Sequence, residues 1–151
     1  MVMKDLRDAI SEALKEHPNI DFRFSRLGKY EGVLDTIAER FLGHGRMDLG
    51  KVWLHESFHS IIDTSQPPDI FAELRKQLND DEHYWFLASE EDGKYWVAEG
   101  SGAAIINVIG EMHCFEYYIV DRQMTWILCE SHHNMLIKAR AEDRSIPVSI
   151  P

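Results

Sequence analysis

The stretch that decides the fold runs from His83 to Lys138 and reads HYWFLASEEDGKYWVAEGSGAAIINVIGEMHCFEYYIVDRQMTWILCESHHNMLIK. Its first part predicts a β-hairpin. Tyr84–Ser89 and Tyr95–Ala98 are rich in aromatic and apolar residues, which favours strands. The Asp-Gly pair at 92–93 favours a turn between them, because glycine tolerates positive φ.

A buried helix and a second hairpin are predicted next. Ser101 can cap the helix, and Ala103–Met112 has almost no polar face, which is typical of a helix buried on all sides. The second hairpin is predicted over Phe115–Val120 and Met124–Glu130, with a turn at Asp121–Gln123. Both faces of these strands are apolar, so we expect them in the interior of a sheet that is covered on both sides.

Helices and a short strand are predicted before this stretch. Helical spacing of apolar residues indicates helices over residues 3–14 and 25–41, and Ile20–Phe24 alternates as a short strand between them. A loop is expected at Asp63–Pro68, and a third helix is expected to open at its prolines and to span Ser65–Leu78.

These elements predict an α+β fold, with one antiparallel sheet of about five strands and three to four helices packed on it. Asn79–Glu82 is an acidic connection, and a further short strand is expected at Met135–Ile137. A length of 151 residues suits one domain with a full hydrophobic core. We place that domain at residues 1–138 and a loose, polar C-terminal tail at residues 139–151.

The composition bounds the classes of function. The chain carries 16 Lys and Arg against 26 Asp and Glu, for a formal net charge of −10. Such a charge opposes non-specific nucleic-acid binding and suits a soluble protein or one with a basic protein partner. We find no apolar run long enough for a membrane span. Two cysteines without a signal peptide favour free thiols, so we expect a cytoplasmic protein.

One short motif has the pattern of a zinc hydrolase. Residues 55–59 read His-Glu-Ser-Phe-His, in which a helix would place His55 and His59 one turn apart to bind Zn²⁺ while Glu56 activates water. The surrounding segment, Lys51–Ile62, fits either a helix or a strand. A chance match is the simpler explanation, so the leading hypothesis has no metal or cofactor, and zinc is the alternative.

A second candidate site depends on the register of the second hairpin. A turn at Asp121–Gln123 would place Phe115 opposite Cys129 and Cys114 opposite Glu130, because antiparallel partners lie at equal distances from the turn. The open end of this hairpin would then gather several chemically active side chains.

The predicted binding patch at this open end consists of His113, Glu130, His132 and His133. Histidine beside glutamate can bind a transition metal or carry a proton near neutral pH. The simpler explanation is that His132 and His133 begin a polar loop.

The same stretch resembles a known family. Its Phe-Glu-Tyr-Tyr-Ile-Val strand at 115–120 and its Cys-Glu-x-His-His end at 129–133 are similar to those of an uncharacterised bacterial family of small domains of unknown function. The resemblance covers the last third to half of the chain and implies no activity. The setting of that family is similar to that of small acidic immunity proteins, which neutralise toxins by binding them.

The leading hypothesis is therefore a non-enzymatic, immunity-type domain that binds protein. A basic protein is the expected partner, and a homodimer is a second arrangement, because the sheet is apolar on both faces. The alternative is a small metal-dependent hydrolase that uses His55, Glu56 and His59. Neither nucleic acid nor a membrane is expected as a partner.

Overall fold

The structure, a computed structural model, describes residues 6–17, 20–24, 29–41, 60–89, 95–111, 116–131 and 135–141. The elements within these ranges are α1 (Leu6–Leu14), β1 (Phe22–Phe24), α2 (Lys29–Phe41), β2 (Ile61–Ser65), α3 (Ile70–Gln77), β3 (His83–Ser89), β4 (Tyr95–Ser101), α4 (Gly102–Glu111), β5 (Glu116–Asp121), β6 (Trp126–Glu130) and β7 (Leu136–Arg140). The predicted α+β class is confirmed.

The described strands form one sheet in the order β1-β4-β3-β5-β6-β7-β2, and every neighbouring pair is antiparallel. The single antiparallel sheet is confirmed, but the number of about five strands is wrong, since the described residues supply seven. Six of the seven correspond to segments predicted as strands, and the seventh, β2, begins in the ambiguous segment Lys51–Ile62 and overlaps the loop predicted at Asp63–Pro68. Its sequence, Ile-Ile-Asp-Thr-Ser, lacks a clear alternation, and it becomes a strand by pairing with β7.

Both faces of the sheet are covered by helices. On one face, which we call the α2 face, buried residues of α2 cluster with strand residues such as Trp85, Leu87, Tyr118 and Cys129. On the other, the α4 face, buried residues of α1, α3 and α4 cluster with residues such as Phe86, Tyr117, Ile119 and Leu128. All six residues of β5 are buried, which confirms that the central hairpin lies in the interior and is covered on both sides.

The turn of the central hairpin is longer than predicted. The Asp121 carboxylate accepts hydrogen bonds from the backbone N–H groups of Thr125 (2.7 Å) and Trp126 (3.0 Å). Met124 adopts a positive φ of 58° within the turn. The second strand therefore begins at Trp126 rather than at Met124.

The longer turn shifts the register of the hairpin. Cys129 lies opposite Tyr118, whereas the predicted partner was Phe115, three residues earlier in the sequence. The predicted register is therefore wrong. The side chains of β5 alternate between the two faces, with Tyr117 and Ile119 on the α4 face and Tyr118 on the α2 face.

Two helix starts show which local signals were informative. Ser101 caps α4 as predicted, since its hydroxyl accepts a hydrogen bond from the backbone N–H of Ala104 (3.1 Å). Ser65 does not open α3. That helix is capped by Asp69, whose Oδ1 accepts hydrogen bonds from the N–H groups of Phe71 (3.1 Å) and Ala72 (3.2 Å). Within the described residues, no helix is long and apolar enough to span a bilayer.

The last strand of the sheet continues past the expected domain boundary at residue 138. Strand β7 continues to Arg140, and Ala139 is fully buried in the core of the α2 face. Residues 142–151, which make up most of the expected tail, lie outside the described residues.

Candidate functional site

The binding patch predicted at the open end of the central hairpin falls only partly within the described residues. Glu130 ends β6, whereas His113, His132 and His133 lie outside them. Glu130 is opposite Tyr117, whereas the predicted partner was Cys114, three residues earlier in the sequence. The register argument that placed His113 near Glu130 is therefore wrong, and the patch itself stays a prediction.

Three side chains at this end of the hairpin form a buried polar group on the α2 face. The Tyr118 hydroxyl donates a 2.7 Å hydrogen bond to Oε2 of Glu116, and both residues are buried. Cys129 lies opposite Tyr118 and is fully buried. Burial raises the pKa of the Cys129 thiol well above its ordinary value, and the charge of Glu116 raises it further. A thiol that is protonated and closed to solvent does not suit nucleophilic catalysis.

On the α4 face of the same two strands, Tyr117 interacts with Glu130. The Tyr117 ring is buried and stacks on Phe86, with ring centroids 5.8 Å apart. Burial raises the pKa of Tyr117 far above its ordinary value, and the charge of Glu130 adds to the effect. The carboxylate of Glu116 thus accepts a hydrogen bond from a core hydroxyl group, and the charge of Glu130 acts on another, which indicates a structural role for both residues.

The His-Glu-x-x-His motif cannot be placed, because His55, Glu56 and His59 lie outside the described residues. Of the ambiguous segment Lys51–Ile62, the last two residues belong to strand β2. The described part of the chain contains no group of three or more His, Cys, Asp or Glu residues that could hold a metal ion.

A second polar region lies at the opposite end of the sheet, where residues 79–82 (Asn-Asp-Asp-Glu) join α3 to β3. We call these residues the acidic turn. The backbone carbonyls of Asp80 and Glu82 accept hydrogen bonds from the N–H groups of Ala103 (3.4 Å) and Gly102 (3.0 Å). N–H groups in the first turn of a helix have no partner within the helix, so the acidic turn satisfies two of those of α4.

Two glycines permit the close approach of acidic segments to the end of β4. A Cβ at position 102 would lie 2.2 Å from the carbonyl oxygen of Asn79, and one at position 100 would lie 2.8 Å from that of Asp21. Both distances are shorter than real Cβ contacts. The N–H of Ser101 also donates to the Asp21 carbonyl (3.0 Å). The backbone on both sides of Ser101 is therefore held in place.

The acidic turn carries negative charge that no basic side chain in the described part of the chain neutralises, although the Glu82 carboxylate accepts a hydrogen bond from the Tyr84 hydroxyl (3.3 Å). Asp80, Asp81 and Glu82 are exposed, and none of them forms a salt bridge with another described residue. The neighbouring carboxylates of Asp21 and Glu99, by contrast, are paired with basic side chains. The sequence marked this turn only as an acidic connection, and its run of three acids was the one signal that could have identified it as a site.

This fold defines a small α+β protein built on one antiparallel sheet with helices on both faces. The chain belongs to a family of unknown function, DUF6756, whose model matches residues 2–145. The match covers far more of the chain than the last third to half over which a family resemblance was expected. No curated protein and no solved structure matches the chain.

Proposed function

We propose that this chain is a non-enzymatic protein-binding domain that contacts a basic partner through the acidic turn. The observation that carries the proposal is the exposure of Asp80, Asp81 and Glu82 on a backbone that α4 holds in place. Because this turn is already ordered, a partner does not need to order it on binding, and the entropic cost of association is lower.

The charge of the whole chain supports the same conclusion. A formal net charge of −10 creates a long-range field that accelerates the approach of a basic protein and disfavours acidic competitors. Salt screens such a field, so association should weaken as ionic strength rises. Toxin neutralisation by an immunity-type protein is the specific form of binding that we propose.

Catalysis is the alternative, and it has less support among the described residues. The described thiol, Cys129, is buried and its pKa is raised. A metal-dependent hydrolase would instead use His55, Glu56 and His59 with zinc. Zinc analysis after purification without a metal-affinity column separates the two proposals. One equivalent of zinc that is lost in His59→Ala would favour the hydrolase, and we expect no stoichiometric zinc.

Neutralising the acidic turn tests the binding proposal. The variant combines Asp80→Asn, Asp81→Asn and Glu82→Gln, which remove three charges and leave the backbone hydrogen bonds to α4 in place. The matched control combines Glu16→Gln, Asp35→Asn and Glu39→Gln, three exposed acids on or next to α1 and α2. Both variants have the same net charge, so any difference between them reports the position of the charge.

The measurement compares proteins captured from a lysate of the source organism on the immobilised wild type and on the two variants, at low and at high salt. We expect a basic protein that is captured at low salt by the wild type and the control and is lost at least tenfold with the acidic-turn variant. Equal capture by both variants would show that only total charge matters and would contradict the proposed site. Capture that does not depend on salt would contradict the basic partner.

A further inference from the structure

A histidine–aspartate pair borders the acidic turn. His83 directly follows Glu82 in the sequence, and its Nε2 lies 2.5 Å from Oδ2 of Asp21. An ionised carboxylate only accepts hydrogen bonds, so Nε2 of the ring is the donor. The side chains of His83 and Asp21 are 45% and 44% exposed, which leaves the ring open to proton exchange with solvent. The charge of His83 can therefore change while the pair stays in contact.

The backbone fixes this pair beside the acidic turn. Ser101, the last residue of β4, lies opposite His83 of β3. The N–H of Ser101 donates to the carbonyl of Asp21 (3.0 Å), and the N–H of the next residue, Gly102, donates to the carbonyl of Glu82 (3.0 Å). One short segment thus holds both Asp21 and the acidic turn. A change of charge at His83 acts next to carboxylates whose backbone is already ordered.

The charges on the other side of the His83 ring are paired with each other. Arg23 lies 3.8 Å from a carboxylate oxygen of Asp21 and 3.6 Å from one of Glu99. Arg122 donates a 2.6 Å hydrogen bond to Glu99. Helix α4 presents no charged residue before its last position. A proton on His83 therefore adds positive charge beside the three carboxylates of the acidic turn, which no basic side chain of the described residues neutralises.

We propose that His83 is a pH sensor of the acidic turn and weakens the binding of a basic partner as the pH falls. This inference rests on the binding function proposed above. Histidine is the side chain whose charge ordinarily changes between pH 5 and pH 8. A neutral His83 leaves the negative charge of the turn undiminished, so a basic partner binds best at the upper end of this range. A protonated His83 repels the cations of the partner, so its affinity falls.

A second histidine–carboxylate pair provides a matched control. Nε2 of His17 lies 3.2 Å from Oε1 of Glu111, and the two side chains are 42% and 43% exposed. Glu111 is the last residue of α4, whereas the acidic turn contacts the first two residues of that helix. At about 1.5 Å per residue these two ends are about 14 Å apart, beyond the Debye length of about 8 Å at physiological ionic strength. Protonation of His17 thus changes the net charge equally but far from the turn.

Calorimetric titration with an octalysine peptide at constant ionic strength tests the sensor. The wild type, His83→Gln and His17→Gln should bind the peptide with similar affinity at pH 8.0, where histidine is ordinarily neutral. All three should bind more weakly at pH 5.5, because other histidines of the chain also gain charge. At that pH, His83→Gln should bind at least about threefold more tightly than the wild type, since it lacks the charge beside the turn. His17→Gln should bind as the wild type does.

NMR titration of the histidine rings provides the reciprocal measurement. If a proton on His83 weakens binding of the peptide, bound peptide must oppose protonation of His83 by the same factor. We expect saturating octalysine to lower the pH at the midpoint of the His83 titration by at least about 0.5, which corresponds to a threefold change in affinity. The midpoint of His17 should stay where it is.

The outcomes separate this sensor from the binding proposal. The same pH dependence in the wild type and His83→Gln, or equal midpoint shifts for the two histidines, would overturn the sensor. The variant of the acidic turn should lose octalysine binding at pH 8.0. If it does while the wild type and His83→Gln respond alike to pH, only the sensor is wrong. If it binds the peptide as tightly as the wild type, the proposed binding site is wrong and the sensor with it.

Discussion

Strands β5 and β2 belong to the same sheet, yet their physical settings are opposite. β5 has a neighbour on each side, and all six of its residues are buried between helices on two faces. β2 lies at the edge, and four of its five residues are exposed. Sequence reasoning identified β5 and missed β2. Burial, rather than extended conformation, therefore makes a strand recognisable in this sequence.

The largest expected effect comes from truncating a buried side chain of the central strand. Ile119 of β5 is fully buried, so Ile119→Ala should lower the free energy of unfolding by about 2–5 kcal/mol through lost burial and a residual cavity. Ile61→Ala in β2 removes the same atoms from a half-exposed site and should change the free energy of unfolding by less than about 0.5 kcal/mol. Urea unfolding measures both. Similar losses of unfolding free energy in the two variants would contradict the difference in burial between β5 and β2.

A second test concerns backbone packing at the start of α4, where the Asn79 carbonyl approaches Gly102. Gly102→Ala would push a Cβ against the Asn79 carbonyl, so we expect a loss of about 1–3 kcal/mol and a displaced acidic turn. Gly110→Ala in the same helix is the control, because its Cβ would meet only the Phe71 ring at an ordinary 3.8 Å. Alanine favours the helix there and should stabilise the protein by up to about 1 kcal/mol. Thermal melting measures the stability of both variants, and equal stabilities would contradict the close approach of residue 102 to the Asn79 carbonyl oxygen.

The smallest expected effect is a loss of stability at alkaline pH, which is caused by Tyr117 in the central strand. The folded protein raises the pKa of Tyr117, because burial disfavours the phenolate, whereas the phenol of the unfolded chain ionises near its ordinary pKa of about 10. The stabilisation is therefore complete below pH 10 and is lost as pH rises above it. Above pH 10, Tyr117 should contribute a slope of about 1.4 kcal/mol per pH unit.

The slope is measured by unfolding the wild type and Tyr117→Phe in urea between pH 9 and pH 11.5. The wild type should lose stability more steeply than the variant above pH 10, while ionisation of Cys129 affects both proteins alike. Parallel pH profiles would show that Tyr117 is not held neutral by burial.

The candidate sites show why function was harder to predict than fold. The predicted patch depended on hairpin register, and that register is set by contacts of the Asp121 carboxylate with Thr125 and Trp126, which no apolar pattern reveals. The acidic turn was visible as three consecutive acids. Its ordered backbone could not be foreseen, because it depends on hydrogen bonds to a helix that starts about 20 residues later and on the absence of a Cβ at position 102.

The sequence by itself determined the central part of this protein. Apolar runs without a polar face specified the strands of the central hairpin and the buried helix α4, and Ser101 specified where that helix begins, since all these signals act within a few residues. Only the tertiary structure decided β2, the pairing of Cys129 with Tyr118, and the exposure of the acidic turn. β2 and the acidic turn depend on partners distant in the chain, and the free energy of such contacts is absent from any local pattern of residues. The pairing of Cys129 with Tyr118 depends on hydrogen bonds of the Asp121 side chain within the turn, which a pattern of apolar residues does not contain.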